Sequence, residues 1–302
     1  MHDLIIIGGG PAGMTAAVYA ARKKIDTLLV SKDLGGQPLN SSRIENYMGY
    51  QYIEGVELMQ KFEEQVKQFP LEQKIGQGAV ALSQLNKGFE VRTDNGESYQ
   101  TKVVIITTGK SPRPLNVPGE ERLRGKGVTY CAICDGPLFA GEKVAIIGGG
   151  NAALEAANDM VKIAKHVYLV SITPLSGDQI LIGKIKDAPN LTVFLEHEVV
   201  KIEGSSRVAG VTIRDLKTSS EKKLEVGGIF VEIGLIPSSE LVKGLAHLNR
   251  FGEIEVNCAN ETSIAGLFAA GDVTNVPEKQ IIVAAGEGAK AALQAHRYLQ
   301  RL

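Results

Sequence analysis

The sequence predicts an α/β protein built from two Rossmann-like dinucleotide-binding domains, each a three-layer ββα fold, with the second inserted into the first. Three observations carry this. Two glycine-rich turns each sit between a short apolar run and an alanine-rich stretch. Each such unit is followed by a second apolar run, completing a β-α-β pattern. And each half ends on a matching apolar run that closes in glycine.

The first unit opens with Leu4, Ile5, Ile6 and Ile7, passes through Gly8, Gly9, Gly10, Pro11, Ala12 and Gly13, and continues into Ala16–Ala21. A continuous apolar run of this length is a strand buried on both faces, and the alanine-rich stretch is its crossover helix. Thr27–Val30 supplies the next strand, with Ser31 at its end. An alternating stretch follows, turning at Asp94, Asn95 and Gly96, and leads to Val103–Ile106 with Thr107, Thr108 and Gly109 beyond it. The second unit repeats the order with Val144–Ile147, Gly148–Gly150, Asn151–Ala157 and Val167–Val170, and its closing run is Gly228–Gly234. The last segment carries Leu267–Asp272 and a helix from about Ile281 to Leu299. The division expected is 1–113 with 247–302 for the first domain and 114–246 for the inserted one.

Composition excludes several classes. The chain has 302 residues, 44% hydrophobic and 22% charged, with a formal net charge of -1. That balance gives no electrostatic reason to bind nucleic acid or an acidic membrane. No run approaches the ~18 apolar residues of a membrane-spanning helix. The first apolar run ends in a glycine loop rather than a small-residue cleavage site, so a signal peptide is not expected and a cytoplasmic location is. Three cysteines do not make a disulfide scaffold, and in a reducing compartment a Cys-x-x-Cys is catalytic or metal-binding. Zinc would need two further ligands, whereas Cys258 is distant and the five histidines are scattered. No metal is expected, and Cys258 reads as a small buried residue.

A glycine loop binds phosphates for specific reasons. Gly8 permits the tight turn, Gly10 lets the backbone approach a pyrophosphate, and Gly13 lets the helix pack on the strand. The helix N-terminus then offers free N–H groups and the positive end of its dipole.

Further segments add to this: Gly35, Gly36 and Gln37; Ile44 to Tyr47, including Asn46; Thr107, Thr108 and Gly109; Gly271 and Asp272; and Lys279, Gln280 and Ile281. With Cys131, Cys134, Asp135 and Gly136, they resemble the low-molecular-weight thioredoxin reductases over essentially the whole chain. The second half is closer still to the flavoprotein component of alkyl hydroperoxide reductase, in Cys134–Phe139, Lys279–Ile282 and Gly286–Lys290. The resemblance implies FAD at the first site. Gly8, Gly10, Pro11, Ala12 and Gly13 would hold the pyrophosphate; Ser31, Gly35, Gly36, Gln37, Asn46, Thr107, Thr108, Gly109 and Gly271 would line the cofactor. Asp272 would meet the ribityl or pyrophosphate region. Lys279, Gln280 and Ile281 would bring a helix N-terminus to the flavin's pyrimidine edge, where charge develops on reduction. Residue by residue, Gln37 and Asn46 also read as turn residues and Asp272 as a cap. The resemblance also implies a homodimer, and a separate thioredoxin or thioredoxin-like partner, since no stretch matches the N-terminal thioredoxin-like domains of the hydroperoxide reductase flavoprotein.

The Cys131–Cys134 spacing suits an intramolecular disulfide at a helix start, where the dipole lowers a thiolate's pKa. Two buried free thiols are the plain alternative. By resemblance, Cys134 faces the flavin, Cys131 exchanges with the partner disulfide, and Asp135 is the general acid that protonates the leaving thiolate. Asp135 also reads as a helix cap. A disulfide enclosed against a flavin cannot meet a bulky partner; the family solves this by rotating the inserted domain on linkers, here expected near Arg113 and Pro114 and near Leu245–His247.

The pattern breaks after the second domain's second strand. NADPH-dependent relatives carry arginines there for the ribose 2′-phosphate, while this chain has Ser171, Ile172, Thr173, Pro174, Leu175, Ser176 and Gly177. Charge-assisted hydrogen bonds contribute roughly 1.5–3 kcal/mol each, so losing several weakens NADPH about a thousandfold. NADH-binding units place an acid where Ser171 stands. Some relatives lacking these contacts take electrons from ferredoxin, so a ferredoxin-type donor is expected, with NADH as the alternative; compensation for the missing contacts by Ser176 or Lys184 is the plain alternative to a lost nicotinamide site. Two other readings stay open: a dithiol oxidase using oxygen, and a flavin-bound redox sensor.

Overall fold

The computed structural model describes residues 1–302 except 41–43, 45 and 131; the side chains of Asn40, Ile133 and Cys134 are also outside the described set. The chain divides into two compact units, Met1–Ser111 with Ile236–Leu302, and Pro112–Leu235. The first crossing lies within two residues of the expected boundary. The return crossing comes earlier than residue 247, because Val242 and Ala246 are buried in the core of the first unit. The apolar run there is core, and no linker lies near Leu245–His247.

In the first unit, β1 (His2–Gly9) is followed by α1 (Pro11–Arg22), β2 (Thr27–Leu34), α2 (Gly55–Lys67) and β3 (Glu72–Ile75). The antiparallel β4 (Ala79–Gln84) and β5 (Phe89–Thr93) lead into β6 (Ser98–Ile106), and β7 (Lys110–Pro112) carries the chain out. The sheet order is β3-β2-β1-β6-β5-β4. Leu4, Ile5 and Ile6 are fully buried, as a central parallel strand covered on both faces requires. Pro11 occupies the first turn of α1, where its missing N–H costs no bond.

The second unit contains α3 (Glu120–Leu123), β8 (Val128–Thr129) and the single-turn α4 (Ala132–Asp135). Then come β9 (Lys143–Ile147), α5 (Asn151–Met160), β10 (His166–Ser171), α6 (Gln179–Ile185) and β11 (Leu191–Leu195). A meander of β12 (His197–Gly204), β13 (Val208–Asp215) and β14 (Glu221–Leu224) precedes β15 (Gly228–Val231). The parallel sheet runs β11-β10-β9-β15-β8. Its Val144, Ile146, Val167 and Leu169 pack with α5, while Ala145, Ile147 and Val170 share a core with the meander.

The chain returns through β16 (Leu235–Pro237), adds β17 (Leu267–Ala269) beside the end of β6, and closes with α7 (Ile281–Leu299). This last helix has the predicted limits. It crosses α1 closely: a β-carbon at Gly288 would lie 2.0 Å from the Ala12 carbonyl oxygen. Cys258 is exposed rather than buried, because it sits on a turn that the Asn257 side chain closes by accepting the Ala259 N–H. Among the described residues no helix is long and apolar enough to cross a membrane.

Candidate functional site

In the first unit the predicted residues converge at the carboxyl ends of β1, β6 and β17, where an open parallel sheet binds ligands. Gly8 takes a positive φ of 112°, and a β-carbon there would meet the Thr107 carbonyl oxygen at 2.4 Å. One at Gly13 would lie 1.8 Å from the Gly8 carbonyl oxygen, so this helix can approach the strand only with glycine. At Gly10 nothing stands within 4 Å, leaving open space before the N-terminus of α1. The loop is thus closed where it must pack and open where a pyrophosphate would lie. Gly36 approaches Gly10, and Gly271 sits against Ala12 and Ala284, bringing four chain segments to one cradle.

Several polar groups expected on the cofactor are engaged within the protein. The Thr107 hydroxyl donates to the Ile7 and Gly8 carbonyls, both 2.9 Å, and Thr108 donates to the Ser238 carbonyl at 2.6 Å. Ser31 donates to the Asp33 carbonyl at 2.6 Å, and the Gln37 amide to the Lys110 carbonyl at 3.0 Å. These residues shape the cradle, and their side chains are committed elsewhere. Asn46 and Gln280, 234 positions apart, hydrogen-bond at 2.9 Å at the start of α7. Asp272 makes no hydrogen bond among the described residues. Burial pushes its carboxyl above the usual range, against the pull of Lys279 and Lys110. A half-buried carboxylate without a donor fits a ligand hydroxyl.

Beside it lies a cluster that no sequence motif announces. Glu253 accepts from Lys110 at 3.0 Å, Lys279 at 3.1 Å and Asn249 at 2.7 Å. Burial alone would raise its carboxyl, but these three donors hold it at about 2. Lys279 also donates to the Thr274 carbonyl. Lys279 therefore anchors the approach to α7. No local pattern joins Lys110 to a partner 143 residues away, so sequence reasoning has no signal for it.

In the second unit a cavity of 640 Å³ opens at the second glycine turn, walled by Gly148–Ala152, Ser171–Thr173, Arg113, His197–Val199 and Glu232–Gly234. Gly148 again takes a positive φ, of 141°, and Gly150 again faces open space. Ser171 spends its hydroxyl on its own turn, accepting the Thr173 N–H at 3.3 Å. Ser176 folds back on the turn through its N–H to the Gly149 carbonyl, 2.8 Å. Lys184 is exposed and is not part of the cavity wall. Neither residue supplies a cation for a 2′-phosphate.

Cys131 lies outside the described residues, as does the Cys134 side chain, so the expected disulfide and the roles of its two sulfurs stand as sequence expectations. The helix carrying Cys134 is one turn long, Ala132–Asp135. It offers little of the dipole stabilisation that a longer helix would give a thiolate. Asp135 accepts from the buried Thr129 hydroxyl. Glu232, which in the sequence stands only as the end of an apolar run, accepts the Ala132 N–H at 3.3 Å. Burial raises its carboxyl to about 7, with Glu155 pushing the same way and the Ala132 bond opposing. The sequence does hold a signal for it: an acid interrupting a buried strand at the end that faces a glycine turn.

Comparison with known proteins adds the following. The pyridine nucleotide-disulphide oxidoreductase family matches residues 2–288. A Bacillus subtilis protein named NADH dehydrogenase is 43% identical over 300 residues, covering 99% of this chain and 59% of that protein. An alkyl hydroperoxide reductase component of Escherichia coli is 42% identical over 305 residues, covering 99% of this chain and 58% of that one. The chain thus spans about three fifths of the length of these relatives. Among solved structures, Lactococcus lactis thioredoxin reductase in its FR conformation superposes with a TM-score of 0.87 at 33% identity over the full length of both chains. Thioredoxin reductase of T. acidophilum gives 0.83 at 35% identity, over 98% of each chain.

Proposed function

The chain belongs to the pyridine nucleotide-disulphide oxidoreductase family, and from that premise we propose that it is an FAD-dependent enzyme passing electrons from NADH through Cys131 and Cys134 to a thioredoxin-like partner. The observation that carries the nicotinamide half is the 640 Å³ cavity at the second glycine turn. FAD, when bound, supplies a two-electron relay between donor and dithiol. The Gly8–Gly13 turn would hold its pyrophosphate, Asp272 a hydroxyl, and the N-terminus of α7 the pyrimidine edge.

The donor reading departs from the ferredoxin expectation, which rested on the missing arginines. Their absence removes a 2′-phosphate clamp. It does not remove the cradle: Gly148 and Gly150 keep their geometry, and Ile172 and Thr173 border an open cavity. With Ile172 and Thr173 where the arginines would stand, Arg113 is the one Arg or Lys among the described lining residues, and that suits NADH better than NADPH. The names of the relatives point the same way, and nothing among the described residues favours ferredoxin.

At the exit, a partner disulfide is attacked by one thiolate of the reduced pair, forming a mixed disulfide and releasing a partner thiolate. The second thiolate then attacks the mixed disulfide, releasing the other partner sulfur and closing Cys131–Cys134. The proton the partner needs would come from Asp135, oriented by Thr129. A homodimer and a cytoplasmic location belong to the same proposal and rest on the resemblance alone.

The test is anaerobic mixing of the flavin-loaded protein with NADH, NADPH and reduced ferredoxin in turn, following flavin absorbance. NADH should bleach the flavin at far lower concentration than NADPH, by about a thousandfold. Bleaching by ferredoxin alone would restore ferredoxin as the donor.

A further inference from the structure

Glu232 is a half-buried acid with a placement that the proposed chemistry has not used. It directly follows β15, the strand beside β9, and a β-carbon at Gly148 would lie 2.3 Å from its carbonyl oxygen. Glu232 is one of the residues lining the cavity at the second glycine turn, and its Oε1 accepts the N–H of Ala132, a residue lying between the two cysteines in sequence. One residue thus lines the cavity and, through its carboxyl, holds the backbone at Ala132, and both lie within the second unit.

We infer that Glu232 is a titrating positioning residue: from the cavity wall its carboxylate holds the Ala132 N–H, and uptake of a proton loosens that hold on the segment bearing Cys131 and Cys134. The inference rests on the reading of those cysteines as the redox pair. An ionised acceptor makes a shorter and roughly twofold stronger hydrogen bond than a neutral one. The step is simple acid–base chemistry: one carboxylate oxygen gains one proton from water, and the N–H then faces a neutral acid. Its burial places that exchange near neutral pH, where cellular conditions sample both forms.

The charged and titratable neighbours are few. Glu155 faces it from α5 and disfavours its ionisation. Asp135, on the same short helix as Ala132, is engaged by Thr129. The same cavity is lined by Arg113, His197 and Glu198. Glu198 is bound by Arg214 at 2.8 Å, and His197 contacts the Leu195 carbonyl at 2.7 Å. His197 is an imidazole lining the same cavity, so a test must separate the two.

The full flavin-loaded chain, labelled with nitrogen-15 at alanine and kept oxidised so that the thiols do not titrate, allows this. The Ala132 amide signal is identified by its loss in Ala132→Gly and followed across about pH 5 to 9. The expected result is one inflection near neutral pH that disappears in Glu232→Gln, whose amide oxygen still accepts the N–H. His197→Gln should leave the inflection in place. A flat wild-type signal, or an inflection that survives in Glu232→Gln, overturns the inference. If Glu232→Gln does not fold, an inflection that persists in His197→Gln supports the inference, and its loss there overturns it. Counting reactive thiols before and after reduction of the same sample, in a Cys258→Ser background, tests the redox pair separately. An unchanged count sinks that reading while the Ala132 signal still judges Glu232.

Discussion

Glu253 sits between two ammonium groups and an amide, and its depressed carboxyl makes the first unit's stability depend on pH. Because its folded value is about 2 against an ordinary 4.5, the stabilisation is present above about 4.5 and is lost as pH falls toward 2. Glu253→Gln should flatten that part of an acid-unfolding curve, and an unchanged slope would contradict the assignment. Glu232 carries the opposite sign. With its folded value raised to about 7, the folded state binds more protons than the unfolded chain from about 4.5 upward, and stability falls as pH rises through that window. Glu232→Gln should therefore melt higher than the wild type at pH above 7 and show less difference at pH near 4.5. Thermal melts at the two pH values check this. The two acids differ in how far the sequence shows them. Glu253 has partners far along the chain, whereas Glu232 stands in a motif whose apolar neighbours carry the pattern. Gly8, Gly10 and Gly13 are legible because backbone contact leaves a glycine signature at fixed spacing.

The close crossing of α1 and α7 sets where the N-terminus of α7 falls. Ala284, Ala291, Ala292 and Ala295 are buried together with Ala12, Ala16, Ala17 and Ala20, and small side chains of this kind let two backbones approach. Gly288 is the tightest point, with the Ala12 carbonyl where a β-carbon would go. Gly288→Val should separate the helices, destabilise the first unit by about 1–3 kcal/mol, and lower the flavin content of the purified protein, read from absorbance and melting. Normal flavin retention would mean the helix spacing does not position the cofactor. The strands at Leu4–Ile7, Val103–Ile106 and Val144–Ile147 are plain in the sequence because strands buried on both faces are continuously apolar. The meander β12 to β14 is not. Its pairing is set by contacts between strands and by bulges near Lys201 and Gly204, which no local period reveals.

At the scale of the molecule, one dinucleotide fold is inserted into another, and the duplication itself is readable from the repeated strand, glycine turn and helix. The return boundary falls about ten residues before the one the sequence suggests, because Val242 and Ala246 look like any apolar stretch until they are seen in the first unit's core. The two donor readings draw on different observations: lost arginines are visible in a sequence, whereas a cavity at the second glycine turn is visible only in a structure. The two halves of the proposed reaction should separate in a variant. Asp135→Asn should leave flavin reduction by NADH intact while slowing reduction of a thioredoxin about a hundredfold or more. Equal loss in both would assign Asp135 to the fold rather than to proton transfer. The central claim is that electrons entering at the flavin are stored on the Cys131–Cys134 pair. Anaerobic reductive titration measures it most directly. The wild-type chain should take up twice the reducing equivalents of Cys134→Ser before reduction is complete, and equal uptake by the two proteins would contradict the account.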